Sequence, residues 1–260
     1  TGDTSSAASD VYKRQARQLQ EANEKLVALS VQKDGFLSQI SHELRTPMTS
    51  IRSFSEFLMA GDELPPETRQ RYSRIIHDET VRLTRLLDDL LDLSVLENGQ
   101  VTLHKREVSL GEILDRAVAA TDLPDGERRL RIIRDTATEG VQLNTDSDRL
   151  AQVFINLISN AQKYCDADTP ELRIVVGQNA DGYAVVDFVD NGAGISPEVQ
   201  SVIFEKFSRG SNEQAAGGAG LGLAICREVM LRLGGAIDYL SGQGSTAFRL
   251  TLPTSEAKAA

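Results

Sequence analysis

The chain has 260 residues, with a hydrophobic fraction of 40% and a charged fraction of 25%, which is typical of a soluble globular protein with room for two modest domains. Its formal net charge of -10 and its lack of Trp argue against nucleic-acid binding, and no apolar run is long enough for a membrane-spanning helix. The two cysteines, Cys165 and Cys226, are too few for a disulfide framework and lack metal-ligand spacing, so we expect both to be reduced.

Because the chain begins at Thr1 and not at Met, we expect it to be a piece of a longer protein that has lost a sensor or a membrane anchor. Residues 1–10 are small and polar, and we expect a disordered end there. Apolar positions then alternate steps of three and four, which predicts a coiled-coil helix over residues 11–35. The positions of this seam and its continuation are Leu19, Ala22, Leu26, Leu29, Lys33, Phe36 and Ile40.

The same stripe continues after a shift of the seam, and the polar residues 60–66 are predicted to end the helix. Its later positions are Leu44, Pro47, Ile51, Phe54 and Leu58. A second helix is predicted from the same spacing at Tyr72, Ile76, Glu79, Leu83, Leu86, Leu90 and Leu93, and Asn98-Gly99 supplies its C-terminal cap.

Two amphipathic helices joined by a short loop predict an all-α antiparallel hairpin over residues 36–99. Two helices alone bury little apolar surface, so we expect a homodimer in which two hairpins form a four-helix bundle. The alternative is a hairpin that packs on the following domain, but the upstream seam also needs a partner and therefore favours the dimer.

From residue 100 to 254 the pattern predicts an α/β sandwich, with one mixed, mostly antiparallel sheet and helices on one face, followed by a tail at 255–260. Strands are predicted at residues 101–108, 128–135, 141–144, 172–176, 183–189, 235–240 and 247–252. Helices are predicted at residues 109–120, 146–164 and 219–233, the first opened by a capping box that starts at Ser109.

His42 lies about 200° around the helix from both Ile40 and Leu44, so we expect it to face away from the apolar stripe. Thr46 is one turn further along the same face, and Glu43 adjoins His42. Imidazole is nucleophilic at neutral pH, and a carboxylate that accepts a hydrogen bond from one ring nitrogen leaves the other free to attack. Pro47 removes a backbone donor, which predicts a kink just after this site.

A second group of polar residues lies on the predicted helix 146–164, where Gln152, Asn156, Asn160 and Lys163 share one face. Amide oxygens can bind Mg²⁺ and an ammonium can bind phosphate. Further on, Asp190 ends a strand beside Gly192 and Gly194, where a carboxylate can accept a hydrogen bond from an exocyclic amine. Glycines at 217–222 then open a helix, whose N-terminal N–H groups suit phosphate oxygens.

Residues 36–51, FLSQISHELRTPMTSI, closely resemble the phosphoacceptor box of the sensor histidine kinases. The later motifs NLISNAQKY, DNGAGI, FEKFSR, GAGLGLAI and GQGST resemble the ATP-binding domain that these kinases share with Hsp90, type II topoisomerases and MutL-type proteins. The resemblance covers residues 30 to 254. A mild departure is Ala219, where Thr or Ser is common in the family.

The resemblance implies an ATP-dependent protein-histidine kinase in which His42 is phosphorylated, Glu43 activates it and Thr46 positions water for phosphatase chemistry. It implies that ATP and Mg²⁺ are the cofactors, with Asn160 and Asn156 as the metal ligands. The residues it assigns to the nucleotide are Asn156, Asn160, Lys163, Tyr164, Asp190, Gly192, Gly194, Arg209, Gly218, Gly220, Leu221 and Gly222.

The partners implied are a receiver domain of a response regulator, which accepts the phosphoryl group on an Asp, and an upstream sensor domain. We expect no nucleic-acid partner, no membrane contact by this part of the protein, and a cytoplasmic location with a possible membrane anchor elsewhere. Transfer within the dimer in cis and transfer in trans both stay open. Two alternatives are an ATP-gated clamp or chaperone and an inactive dimeric scaffold, but the HELRTP box and the complete set of candidate residues argue against both.

Overall fold

The computed structural model describes residues 3–60, 64–99, 102–121, 129–208, 220–242 and 245–255. The chain divides into two compact units, Thr1–Leu83 and Thr84–Ala260. The predicted domain limits at residues 35, 99 and 254 stay predictions. Among the described residues, no helix combines the length and the apolar character that a membrane span requires.

The N-terminal unit is built on helix α1, Asp3–Ala60, and the first part of helix α2, Pro66–Glu97. α1 begins at Asp3, and the expected disordered end at residues 1–10 stays a prediction. The chain has no Gly between Gly2 and Gly35 and no Pro before Pro47, so nothing in that stretch breaks a helix. Pro47 itself lies within α1, which continues past it.

The two helices form the predicted hairpin, and the stripe positions of α1 from Ile40 onward are shielded. Pro47 is buried, and Ile40, Leu44, Ile51, Phe54 and Leu58 are all partly shielded from solvent. Near the turn, the Tyr72 ring lies 5.1 Å from that of Phe54 and 5.9 Å from that of Phe57. Pro66 occupies the first position of α2, where its missing N–H costs no hydrogen bond.

α2 ends as the sequence predicts. Its last helical residue is Glu97, and Gly99 adopts a φ of +67°, which a residue without a Cβ reaches without strain. The Gly99 N–H donates to the Leu96 carbonyl at 3.1 Å. The pair Asn98-Gly99 therefore closes the helix through a left-handed cap.

The C-terminal unit contains a five-stranded sheet with the strand order β2-β4-β5-β7-β6. Its strands are β2 Arg131–Arg134, β4 Glu171–Gln178, β5 Ala184–Asp190, β6 Ala236–Gly242 and β7 Ser245–Leu252. β2 pairs with β4 in parallel, and the other neighbouring strands pair antiparallel. The predicted mixed, mostly antiparallel sheet is confirmed.

The expectation of a single sheet is wrong. Strands β1, Arg106–Ser109, and β3, Gln142–Thr145, form a separate two-stranded antiparallel pair. β1 is shorter than predicted, and the His104 N–H donates to the Asp146 carboxylate at 2.9 Å instead of to a neighbouring strand. The alternation of the sequence predicts a strand but not its partner, because that partner lies far along the chain.

Helices pack on one face of the main sheet. They are α3 Leu110–Ala120, α4 Ser147–Tyr164 and α6 Gly222–Arg232, with a short helix α5 Pro197–Gln200 and a 3₁₀ turn at Thr136–Thr138. Val186 and Phe188 of β5 are almost fully buried under them, and the Phe188 ring lies 5.4 Å from that of Phe154 on α4. Burying each ring contributes about 2 to 3 kcal/mol. On the opposite face, Val175 is 47% exposed.

The two helix starts differ from the sequence reading. Ser109 precedes α3 but makes no side-chain capping hydrogen bond, so the predicted capping box is wrong. Asp146 instead caps α4, because its carboxylate accepts from the N–H groups of Asp148 and Arg149, both at 3.1 Å. This cap fixes the start of the helix that carries much of the candidate site.

Candidate nucleotide site

A cavity of about 510 Å³ opens in the C-terminal unit. Its walls are the C-terminal half of α4, the loop that follows β5, the start of α6, and the inward face of β4, β5 and β7. One residue of α2, Asp89, also lines it. The helix face, the strand end and the glycine segment that the sequence singled out therefore meet around one space, although Asn156 and Gly222 are 66 residues apart in the chain.

One end of the cavity is an apolar slot with a carboxylate in its wall. Leu172, Phe188, Ile195 and Phe248 line the slot. Asp190, at the end of β5, is only 7% exposed, and burial raises the pKa of its carboxyl group, opposed by hydrogen bonds from Gly192 and Thr246. Apolar walls with one buried acceptor suit a flat heterocycle that carries an amino group.

Glycines hold this carboxylate in place. The Gly192 N–H donates to Asp190 Oδ1 at 2.9 Å, and a Cβ on Gly192 would come within 2.9 Å of that same oxygen. Gly192 does not itself line the cavity, whereas Gly194 does, with a φ of +86°. The Ala193 N–H donates to the Asp166 carboxylate at 2.8 Å, which fastens this loop to the end of α4.

Another wall of the cavity carries the amide and ammonium groups of α4. Asn156, Asn160, Lys163 and Tyr164 all line it, as the predicted shared face requires. Desolvation lowers the pKa of the Lys163 ammonium, and Arg85 acts in the same direction while Asp89 opposes it. The packing that aims α4 comes from its opposite face, where Leu150, Val153, Ile158 and Ala161 are buried.

Gln152 lies on the same face of α4, but the structure places it outside the cavity. Its side-chain Nε2 donates to Asp92 of α2 at 2.8 Å. The start of the polar stripe therefore binds α2, and its later residues line the cavity. Helical spacing predicts the shared face correctly but does not show where the neighbouring helix ends.

The start of α6 faces the same space. Gly220 and Gly222 line the cavity, and Gly220 adopts a φ of +70°. The Gly220 carbonyl accepts from the Phe207 N–H at 2.9 Å, and a Cβ on Gly220 would come within 2.9 Å of Phe207 backbone atoms. Leu221 is fully buried and belongs to the core, and it is not among the residues that line the cavity. The predicted residues Arg209 and Gly218 lie outside the described residues.

Several lining residues were missed by the sequence reasoning. Asp166, Phe188, Thr246 and Phe248 line the cavity, but each occurs in a pattern that ordinary strands and turns also show. For Asp89 the sequence did contain a signal. This residue falls between Leu86 and Leu93 on the buried side of α2, where a charged residue is unexpected.

The second predicted site lies on α1, in the N-terminal unit. His42 is exposed, as predicted from its position opposite the apolar stripe, and Thr46 is exposed one turn later. Glu43 is partly shielded. The Thr46 hydroxyl donates to the His42 carbonyl at 3.3 Å.

Two family models match the chain, one over each of the two candidate sites. Residues 32–99 match the His Kinase A (phospho-acceptor) domain family, and residues 145–256 match the family of histidine kinase-, DNA gyrase B- and HSP90-like ATPases. The first match contains His42, Glu43 and Thr46, and the second contains the elements around the cavity.

Similar curated proteins include "Sensor protein kinase WalK" of Staphylococcus saprophyticus subsp. saprophyticus, which is 33% identical over 223 residues, 84% of this chain and 36% of the relative. The protein of the same name from Staphylococcus aureus is 32% identical over 84% of this chain and 53% of the relative. The chain thus spans between about a third and a half of the length of these curated relatives.

Solved structures share the fold. The Acinetobacter baumannii histidine kinase AdeS matches with a TM-score of 0.67 at 24% identity, covering 83% of this chain and 98% of that one. Full-length ShkA, solved in complex with AMPPNP, matches with a TM-score of 0.62 at 24% identity, covering 86% of this chain and 46% of that one. The two domain matches and the curated relatives together show that the chain belongs to the sensor histidine kinase family.

Proposed function

We propose that the chain binds ATP with Mg²⁺ in the cavity, phosphorylates His42, and passes the phosphoryl group to an Asp of a response-regulator receiver domain. The single observation that carries the proposal is the cavity itself, which combines a buried carboxylate among apolar side chains with further walls that carry amides, an ammonium and a helix N-terminus. A nucleotide has the same polarity, with a flat base at one end and phosphates at the other.

At the base end, the Asp190 carboxylate accepts a hydrogen bond from the exocyclic amine of adenine. At the phosphate end, Lys163 attracts the phosphate oxygens, and the exposed N–H groups at the start of α6 offer further donors. The family resemblance assigns Arg209 and Gly218 to the same end. Asp190, at the end of β5, and Lys163, on α4, are held by the fold and need little rearrangement when a nucleotide enters.

The donor set fits Mg²⁺, which prefers oxygen ligands and usually keeps several waters beside one or two protein groups and the phosphates. Asn160 and Asn156 offer amide oxygens at the phosphate end of the cavity. When bound, the ion would offset charge on the transferring phosphoryl group. The protein groups then need only to orient the phosphates and exclude competing water.

On α1, a ring nitrogen of His42 is the nucleophile that forms the new N–P bond while ADP leaves. Glu43 accepts a hydrogen bond from the other ring nitrogen and so orients the imidazole. Thr46 positions the water that hydrolyses the phosphoryl group of the phosphorylated regulator. The exposed position of His42 supports both its phosphorylation and the transfer to a regulator, since each step needs access by a second protein surface.

We also infer that the chain acts as a homodimer in the cytoplasm. The seam residues Leu19 and Leu26 are 74% and 65% exposed in the single chain, and apolar surface of this kind calls for a partner helix. The family match over residues 32–99 supports the hairpin as the dimer contact. An upstream sensor domain fits the share of the relatives that this chain leaves unmatched.

The proposal is tested with ATP labelled at the γ-phosphate. The wild-type protein should acquire label that is stable in base and lost in acid, as expected for phosphohistidine. His42→Gln should acquire none, while the matched control His77→Gln, an exposed histidine on α2, should be labelled normally. Transfer to a receiver domain is then followed by adding candidate regulators to the labelled protein. A wild-type chain that binds ATP but stays unlabelled would instead indicate a clamp or a scaffold.

A further inference from the structure

The C-terminal half of α2 packs against the nucleotide-binding unit. Leu86, Leu93 and Leu96 are buried there, with exposures of 5% or less. Between them, Asp92 accepts hydrogen bonds from Arg149 at 3.2 Å and from Gln152 at 2.8 Å. The orientation of this part of α2 is therefore fixed by both apolar and polar contacts.

The end of the same helix is held by a second set of charges. Glu97 pairs with Lys206 at 2.6 Å, and its carbonyl accepts from Arg232 at 3.5 Å. The contacts at Asp92 and at Glu97 are a little more than one helical turn apart along α2. Asp89 lies about one turn before Asp92 on the same helix, so the contacts of Asp92 hold the turn that carries it.

Asp89 is the residue of α2 that reaches the cavity, where it shares the lining with Asn156, Asn160 and Lys163. Its charged neighbours on α2 are Arg85, Asp88 and Asp92. On α4 the Lys163 ammonium attracts it, and on α6 the Cys226 thiol is near enough to be affected by its charge. Burial, followed by the repulsion of Asp92, raises the pKa of Asp89 to about 6.

We propose that Asp89 is a residue of the nucleotide site that acts as a counter-charge to Lys163. In the absence of nucleotide, its carboxylate attracts the Lys163 ammonium. When a nucleotide binds, the carboxylate repels the phosphate groups, which compete with it for Lys163. The inference rests on the proposed function, since it takes the cavity to be the nucleotide site. Two groups of like charge in a partly desolvated space repel each other strongly. Asp89 therefore sets how tightly this site holds phosphate-bearing ligands.

The expected signature is a change in affinity that depends on phosphates and not on the base. Replacing the charge in Asp89→Asn should tighten binding of metal-free ADP by about tenfold, because the phosphates no longer compete for Lys163. Binding of adenosine, which has no phosphates, should not change. The matched control is Asp88→Asn, which removes the same charge from the neighbouring, exposed position of α2 and should leave both affinities as in the wild type.

Titration calorimetry with three ligands decides between the outcomes: adenosine, ADP with a chelator, and ADP with Mg²⁺. Equal ADP affinities in Asp89→Asn and Asp88→Asn would overturn the proposal. So would an Asp89→Asn variant that binds ADP more weakly only when Mg²⁺ is present, because Asp89 would then be acting as a metal ligand.

Two further checks keep the inference separable from the proposed function. If the wild type bound neither adenosine nor ADP, the cavity would not be a nucleotide site and both proposals would fail. If the wild type bound both and Asp89→Asn changed nothing, this inference alone would fail. Asp89→Ala serves as a second variant should the Asn protein not fold, with the same affinities expected.

Discussion

At the scale of single residues, the site depends on a few side chains whose surroundings are tightly specified. Asp190 is the clearest of these, because it is buried, accepts the Gly192 N–H and lies in the wall of the apolar slot. A buried acceptor that meets a ligand donor discriminates strongly, since the ligand that lacks the donor leaves it unsatisfied.

We therefore expect Asp190→Asn to weaken ATP binding by about tenfold or more, because an amide at this position cannot accept in the same way and presents N–H groups to the amine. The control is Asp187→Asn on the same strand, whose carboxylate pairs with Arg249 on the opposite face of the sheet. Binding is measured by calorimetry. Comparable losses in the two variants would mean that Asp190 acts only through stability.

Gly220 is the second residue with a narrow requirement. We expect Gly220→Ala to lower the free energy of unfolding by about 2 kcal/mol, because the backbone there has a φ of +70° and the added Cβ meets the backbone of Phe207 and Ser208. Gly177→Ala, a glycine of β4 with nothing within 4 Å of the added Cβ, should have little effect. Urea unfolding of both variants tests the difference, and equal losses would contradict the expected strain.

At the scale of elements, the two helix starts give a matched pair of experiments. Asp146→Ala should destabilise the protein by about 1 to 2 kcal/mol, since it removes the cap of α4. Ser109→Ala should change stability by a few tenths of a kcal/mol at most, because the Ser109 side chain makes no cap. Thermal unfolding measures both, and a large effect at Ser109 would show that the sequence motif caps α3 in solution.

The helices and strands also show how much of the fold and of the candidate site can be predicted from the sequence. The hairpin, the helix α4 and the strand that ends at Asp190 follow from periodicity, because apolar spacing reports directly which face of an element is buried. The pairing of β1 with β3, the bond from Gln152 to Asp92 and the entry of Asp89 into the cavity depend on residues distant in sequence. No local pattern specifies such contacts. The family resemblance assigns roles to residues of the phosphoacceptor box and of the ATP-binding domain, and to no residue of α2.

At the scale of the whole molecule, pH acts on stability through Asp89. Its pKa is about 6 in the folded protein and ordinarily 3.8, so the folded state favours the protonated form. The resulting stabilisation is fully present below a pH of about 4 and is lost as the pH rises through 6. We expect Asp89→Asn, which cannot ionise, to be more stable than the wild type at about pH 8 and nearly equal to it at about pH 4.

Thermal unfolding across this range gives the measurement. Asp88→Asn, which alters an exposed carboxylate, should show no such gain at high pH. A gain in Asp89→Asn that stayed constant from low to high pH would contradict the electrostatic explanation and point to improved packing instead.

The length of α1 has a further, mechanical consequence. Because the helix continues from Asp3 to Ala60, the number of residues before His42 fixes both a distance and an angle. Each residue added there would rotate anything attached at the N-terminal end by about 100° around the axis and move it by about 1.5 Å. A rotation of the helix at its N-terminal end therefore reaches the face of α1 that carries His42 with the same sense of rotation.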